Sequence, residues 1–306
     1  MQSSPTTLFP RRTFGSPRPH SGAGPGCGLD VRPVGVLAGL ITPAPAERAS
    51  WRLPDSRDEP ALPDDDRSGS KSTNLLLAAL PQREYENVRA AMEHHPLRMR
   101  ETLQEAGDSP EHVYFPTSGI ISVLTVLEDG MMIEFATVGR EGTTAVPVFL
   151  GMGDSNMALI SQLPGESLRM TSAAFRELLA PNPVFSALMG QYSGVLLALV
   201  AQSAACNRAH NTDQRCARWL LMTHDQAGSD NFRITHEFLA QMLGVSRPTV
   251  TTSAAALQAA GLVRYHRGEM FIVNRPGLEQ ASCECYGATR ISLDGSLARL
   301  ANMAVA

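Results

Sequence analysis

Apolar positions divide this chain into stretches of different period. Up to about residue 70 they recur with no sustained spacing of 3.6 or 2, scattered through runs such as PRRTFGSPRPHSGAGPG and PDSRDEPALPDDDRSGS. A segment of that kind cannot bury enough apolar surface to offset its ordering entropy, so residues 1–72 are expected to form a disordered extension. From Asn74, NLLLAALPQREYENVRAAM has the spacing of a short helix, a break at Pro81, and a second helix carrying Tyr85, Val88 and Met92 on one side. From Leu97 the period becomes that of strands. HVYFPTSGIISVLTVLEDGMMIEFATVGREGTTAVPVFLG is a series of short β-rich runs cut at Ser118-Gly119, Asp129-Gly130 and Gly139 to Gly142. Asp129-Gly130 is the clearest hairpin turn, and MALISQL and ESLRM continue the series. Short antiparallel strands with tight turns predict an N-terminal jelly-roll β-barrel over 73–182.

After Thr171-Ser172, a helix cap, the pattern turns helical. Phe185, Met189, Tyr192, Leu196, Leu199, Ser203 and Cys206 alternate steps of four and three, the seam of a helix paired along its length with another. A helix packed only on its own barrel carries a similar stripe. The all-round apolarity of GVLLALVAQSAA favours burial against both barrel and partner, so 183–210 is expected to be a long dimerisation helix. Its apolar run, Gly194 to Cys206, is shorter than the roughly 20 residues that cross a bilayer, and no membrane span is expected. VGVLAGLITPAPA at Val34 to Ala46, preceded by Arg11 and Arg12, has signal-peptide character but lies too deep in the chain, which leaves a cytoplasmic location as the expectation.

Residues 211–287 carry the most specific pattern. In RITHEFLAQMLGVSRPTVTTSAAALQAAGLVRYHRGEMFIVNR, Thr235 can cap a helix that buries Phe238, Leu239, Met242 and Leu243. Gly244 can supply a positive φ, Ser246 can cap a second helix, and Pro248 falls in its first turn, where backbone donors lack helical partners. Ala240, Gly244 and Val250 stand at helix-turn-helix spacing. LVRYHRGEMFIVNR then reads as a hairpin about Arg267-Gly268, the wing of a winged helix. Residues 288–306 are left as a tail.

Charge alters this picture only locally. The 306 residues sum to a formal charge of -4, which argues against a protein that coats nucleic acid non-specifically. Arg247, Arg264, His266, Arg267 and Arg275 nonetheless make 211–287 suited to phosphate contacts. The five cysteines, Cys27, Cys206, Cys216, Cys283 and Cys285, form no disulfide framework, and a reducing compartment is the simpler reading. Cys283 and Cys285 could open a metal site, but the neighbouring sequence supplies no further ligands, so they are read as tail thiols and no metal is expected.

A small barrel, a long helix and a C-terminal winged helix-turn-helix, with VYFPTSGIISVLTVLEDG, VGREG, CARWLLMTHD and THEFLAQMLGVSRPTV, together resemble the Crp-Fnr transcription regulators over about residues 74 to 287. The resemblance implies an α+β fold of barrel, dimerisation helix and winged helix-turn-helix, with double-stranded DNA, a second copy and RNA polymerase as partners and no enzymatic activity. It places the second helix of the motif in the major groove. Arg247, Pro248, Thr251 and Thr252 then form the base-reading side, with Ser246 and Thr249 beside them and Arg264, His266 and Arg267 on the wing. Arg247 is the strong reader, able to bond guanine O6 and N7 together. Family members often carry an acidic residue after that arginine and a further arginine nearer the helix middle; Pro248 and Thr252 stand here, so the operator should differ from the best-known sites.

In cyclic-nucleotide-binding members a segment that starts Gly-Glu and ends in arginine and a small hydroxyl residue holds the phosphate. Here it starts Gly139-Arg140-Glu141-Gly142, and Ser155, followed by Asn156, stands where the arginine would. Between Gly142 and Arg169 there is no Lys, Arg or His, while Asp154 and Glu166 are negative. A buried phosphate without a cation is heavily penalised, so cyclic AMP is not expected as effector, although Arg140 and the amides of Glu141 to Thr143 remain as an alternative anion site. Iron-sulfur members use N-terminal cysteines and this chain has only Cys27 there; His94, His95 and His112 match a haem ligand by type alone and are read as loop histidines. No cofactor is predicted. A metal-dependent cupin is disfavoured because residues 113–170 contain no histidine. The remaining rival is an effector-sensing or scaffold protein that has lost DNA binding.

Overall fold

The computed structural model describes residues 74–128, 130–153 and 157–303, with side chains through residue 295. Expectations about the 1–72 extension, Cys27, Asp129, Asp154, Ser155 and Asn156 lie outside the described residues. The chain opens with α1 (Leu75–Ala78) and α2 (Gln82–Ala90), parted at Pro81 as the apolar spacing predicts. Asn74 caps α1, its Oδ1 accepting from the Leu77 amide at 3.2 Å while its Nδ2 donates to the carbonyls of Pro116 and Gly142 at 2.9 Å each. One buried amide therefore fixes both the helix start and its seat on the barrel.

The barrel is antiparallel throughout. Strands β1 (Glu93–Leu97), β2 (Thr102–Gln104), β3 (His112–Pro116), β4 (Ile120–Val126) and β5 (Met132–Val138) precede a short α3 (Val146–Phe149), then β6 (Met157–Leu163) and β7 (Gly165–Thr171). They form one sheet ordered β1-β7-β3 and another ordered β2-β6-β4-β5. β4 and β5 pair from Ile121↔Val138 to Val126↔Met132, the hairpin expected on either side of residue 129. His94, His95 and His112 sit in β1 and β3, so the reading of them as loop histidines is corrected. Among them His95 is half-buried, its ring 5.5 Å from that of Tyr114, and burial lowers its pKa.

Thr171 caps α4 (Ser172–Leu179), its hydroxyl accepting from the Ala174 amide. Then comes α5 (Pro183–Ala209), 27 residues long. Its Phe185, 0% exposed, lies 6.3 Å from the Phe115 ring and 5.6 Å from the Phe175 ring, in a core completed by Leu168 and Leu188. Burial of an aromatic of this size stabilises by about 1.5–3 kcal/mol.

Two expectations about α5 are corrected. Phe185, Met189, Tyr192, Leu199, Ser203 and Cys206 are buried within the chain itself, and Leu196 is half-buried, so the four-three seam faces the chain's own barrel and C-terminal helices. An a/d stripe records burial without naming what covers it. The helix is also long and apolar enough to cross a bilayer, so the length argument against a span fails; its buried stripe packs inside this chain instead.

The remaining elements are α6 (Thr212–Ala227), β8 (Asn231–Arg233), α7 (His236–Leu243), α8 (Arg247–Ala259), β9 (Val263–His266), β10 (Glu269–Ile272), α9 (Arg275–Ala281) and α10 (Cys285–Met303). A capping box at Asn211 and Gln214 starts α6 directly after α5 ends. Trp219, Leu220, Phe232 and Phe238 share one core with Ile120, Leu124 and Leu163, so this C-terminal region and the barrel are packed together through β4 and α6. The stretch read as a tail is α10, which packs along α5 and α6.

Candidate nucleic-acid interface

Local sequence builds the helix-turn-helix as its spacing predicts. The Thr235 hydroxyl accepts from the Phe238 amide at 3.2 Å, Gly244 holds φ 60, and the Ser246 hydroxyl accepts from the Thr249 amide at 3.4 Å. Pro248 lies in the first turn of α8, and Val250, 0% exposed, packs beneath it with Ala240 also buried. Pattern and chemistry agree here because every requirement is met within a few residues.

The outward face of α8 carries Ser246, Arg247, Pro248, Thr251 and Thr252, all exposed, with Thr249 half-buried. Thr251 donates to the Arg247 carbonyl at 3.0 Å and Thr252 to the Pro248 carbonyl at 3.1 Å. Their hydroxyl hydrogens are thus committed to the helix. Arg247 Nε stands 4.0 Å from Glu237 Oε2 on an exposed surface, a contact that restrains the arginine little.

The wing is the β9–β10 hairpin, turned at Arg267 (φ 49) and Gly268 (φ 84), the two positive angles of a type I′ turn. β8 pairs with the other edge of β10, a third strand that its three residues did not reveal by pattern. Arg264, His266 and Arg267 are exposed, and Arg264 lies 4.7 Å over the Phe271 ring. Sequence reading missed His236, which stacks on Tyr265 at 4.2 Å and has Nδ1 3.0 Å from the Thr251 hydroxyl, tying α7 and α8 to the wing. It also missed exposed Arg233 on β8, 3.9 Å from Glu269. No short-range pattern links residues so far apart in the chain. Arg275, counted among the phosphate contacts, is corrected: its guanidinium donates to Asp225 at 2.5 Å, to Tyr286 at 2.6 Å and to Glu279 at 3.0 Å, joining α6, α9 and α10.

Residues 139–142, expected to line an effector pocket, form a tight turn closed by the Gly142 amide on the Gly139 carbonyl at 3.0 Å. Glu141 points inward: its carboxylate accepts from the Gly139 amide at 2.9 Å and from Gln226 of α6 at 3.3 Å, and burial raises its pKa. A Cβ on Gly142 would stand 2.0 Å from the Tyr192 hydroxyl of α5, so only glycine fits. The Arg140 carbonyl accepts from the Leu75 amide at 2.7 Å. Arg169, the next cation along the chain, is held by Glu93 at 2.7 Å. The turn is therefore occupied with joining the barrel to α5 and α6.

A second buried contact reinforces that joint. Trp219 of α6 donates to Glu134 Oε1 at 2.8 Å, while Ser122 Oγ lies 2.6 Å from Glu134 Oε2 and 2.9 Å from Gln162 Oε1, and Gln162 donates to Thr223 at 2.9 Å. One hydroxyl hydrogen cannot serve two acceptors; a proton on Glu134, or the Gln162 amide turned to donate to Ser122, completes the chain. Burial favours the proton, pushing the Glu134 carboxyl up to about 7 despite the Ser122 and Trp219 hydrogen bonds.

Cys283 and Cys285 are corrected most strongly. Both are buried, and the C-terminal turn of α5 brings Cys206 and His210 to them, so that ligand atoms of all four residues lie within 4.8 Å of one another. Cys206, read as part of a dimer seam, belongs to this cluster. Cys283 lies 77 positions on from it, which is why the neighbourhood of Cys283 showed no further ligand.

Comparison with known proteins agrees with this architecture. Residues 94–182 match the family model for a cyclic nucleotide-binding domain and residues 214–281 that for a Crp-like helix-turn-helix domain. The chain is similar in fold to the c-di-GMP responsive global regulator CLP of Xanthomonas campestris (17% identity, TM-score 0.54, covering 62% of this chain and 98% of that one). It is likewise similar to FixK2 of Bradyrhizobium japonicum (13%, 0.54, 63% and 98%). A third likeness is to a CRP/FNR family transcriptional regulator of Thermus thermophilus (17%, 0.52, 62% and 98%). No curated protein matches the chain.

Proposed function

The chain, a cyclic nucleotide-binding domain followed by a Crp-like helix-turn-helix domain, belongs to the Crp-Fnr family, and from that premise we propose that it binds a two-fold symmetric operator as a homodimer without needing cyclic AMP. The observation that carries the DNA reading is the exposed face of α8 and the wing, where Arg247, Arg264, His266 and Arg267 stand exposed beside the hydroxyl residues Thr251 and Thr252. Arg247 reads a guanine, Thr251 and Thr252 offer methyls to thymine, and the wing cations meet phosphate.

The dimer is proposed on the face of α5 turned away from the barrel. Gly190, Gly194, Leu197, Ala198 and Ala201 are exposed there at helical spacing, and Leu197 is 70% exposed. Small residues allow two helices to approach closely, and a two-fold pair would set two copies of α8 about 34 Å apart along DNA. Independence from cyclic AMP is supported by the absence of a basic residue between Gly142 and Arg169 and by the inward commitment of Glu141. RNA polymerase is proposed as a further partner on the strength of the family alone. The rival reading, a sensor without DNA binding, draws on the committed hydroxyls of Thr251 and Thr252, which leave Arg247 as the one strong reader on α8.

Selection of genomic DNA fragments by the purified chain, without added ligand and at two salt concentrations, tests the proposal. An inverted repeat whose affinity falls steeply with salt is expected. No enrichment by a folded dimer would favour the rival, and recovery only after cyclic AMP is added would remove the effector-free part.

A further inference from the structure

Where α5 meets α10, four side chains converge that the DNA-binding reading does not use. Cys206 and His210 lie one turn apart at the end of α5, and Cys283 and Cys285 flank Glu284 at the junction of α9 and α10. Sγ of Cys206 is 3.5 Å from Sγ of Cys283, and Sγ of Cys285 is 3.5 Å from Nδ1 of His210. With zinc bonds of about 2.3 Å to sulfur and 2.0–2.1 Å to nitrogen, the edges of a tetrahedron come to about 3.5–3.8 Å, which these separations match. From this geometry we propose that Cys206, His210, Cys283 and Cys285 bind a single thiophilic divalent cation of the zinc class.

The surroundings suit that charge and orientation. His210 turns Nδ1 to the thiols while its Nε2 lies 3.1 Å from a Glu284 carboxylate oxygen, the outer partner that holds a ligating imidazole in one tautomer and one orientation. Gln202 donates to Cys285 Sγ at 2.9 Å. The guanidiniums of Arg215 and Arg218 act on Cys206 and offset the single negative charge that three thiolates, a neutral imidazole and a dication leave behind. Atoms this close leave room for one ion but not for an iron-sulfur cube, whose cysteines bind from outside the cluster. A disulfide between Cys206 and Cys283 would need sulfurs about 2.05 Å apart and gives His210 and Cys285 no role.

The site closes the chain between Cys206 and Cys283, a loop that holds α6 to α9 and with them the whole helix-turn-helix and wing. Loading it clasps α10 to the end of α5 at the joint where the DNA-binding helices begin. The proposal does not rest on the DNA-binding reading, and its test reads metal alone.

Cobalt is titrated anaerobically into the reduced full-length chain after treatment with a chelator. The expected result is one Co²⁺ per chain, with the intense visible bands and thiolate charge-transfer absorption of tetrahedral sulfur coordination, displaced by one equivalent of Zn²⁺. Cys206→Ser, Cys283→Ser and Cys285→Ser each abolish the spectrum, His210→Gln changes it, and Cys216→Ala leaves it intact. Glu284→Gln, an exposed substitution that leaves all four ligands in place, weakens the affinity about tenfold. The absence of these bands from the folded wild-type chain overturns the proposal, as does their survival in Cys283→Ser. Recovery of a Cys206–Cys283 disulfide from the reduced chain, or of acid-labile sulfide bound at these cysteines, overturns it equally.

Discussion

Two short Gly- and Arg-containing stretches, Gly139 to Gly142 and Gly244 to Thr252, look alike as motifs and behave in opposite ways. The second presents its side chains to solvent from a helix whose own cap, turn and buried stripe hold it rigid. The first turns its carboxylate inward to Gln226 and its glycine against Tyr192. One lies open to solvent and the other is a joint between barrel, α5 and α6. The difference teaches that a motif specifies backbone shape locally, while its role depends on what the rest of the fold packs against it.

The largest effect that separates the two regions is expected at Gly142. Gly142→Ala places a methyl 2.0 Å from the Tyr192 hydroxyl, and overpacking of this kind should cost about 3 kcal/mol, read as a drop in Tm. An unchanged Tm would mean that the turn is not seated on α5. Next comes the neighbouring contact at Glu134. Its carboxyl titrates near 7 when folded against an ordinary 4.5, so the folded chain holds a proton that the unfolded chain has released between those values. Stability therefore falls as pH rises from about 4.5 to about 7 and stays lower above. Glu134→Gln mimics the protonated form and should be more stable than wild type by about 2 kcal/mol at pH 8, allowing for partial exposure, and little different at pH 4. Equal pH slopes in urea melts of the two proteins would break that account.

Smaller effects belong to the exposed region. Arg247→Ala should lower affinity about tenfold for the preferred site and relax discrimination at one base pair per half-site, without altering Tm. A uniform loss over all sequences would reassign Arg247 to phosphate. Arg267→Ala should weaken every sequence similarly and reduce the salt slope by about 1 for each wing, the smallest change of the four.

Residues such as Pro81, Thr171, Thr235, Gly244, Ser246 and the Arg267-Gly268 turn were legible in the sequence because caps, positive φ and hairpin turns are satisfied by atoms within a few positions. The strand series from residue 112 to 171 and the helix-turn-helix surface followed from the same local rules. The seam of α5 was legible as a buried stripe, but its partner was not, since periodicity reports that a face is covered without saying by what. Arg275 shows the same limit from the polar side: its charge was visible and its acceptors on α6, α9 and α10 were not.

By itself, then, the sequence determined the helix caps, the hairpin turns, the helix-turn-helix and which residues stand on the outer face of α8, because those are matters of local dihedral preference and hydrogen bonding; the β1 and β8 strands and α10 escaped it. Only the tertiary structure decided that the Phe185 to Cys206 stripe faces inward, that Glu141 binds α6, and that Cys206 and His210 meet Cys283 and Cys285. These are meetings between residues tens of positions apart, produced by the packing of α5 against the barrel, α6 and α10, and no spacing along the chain encodes them.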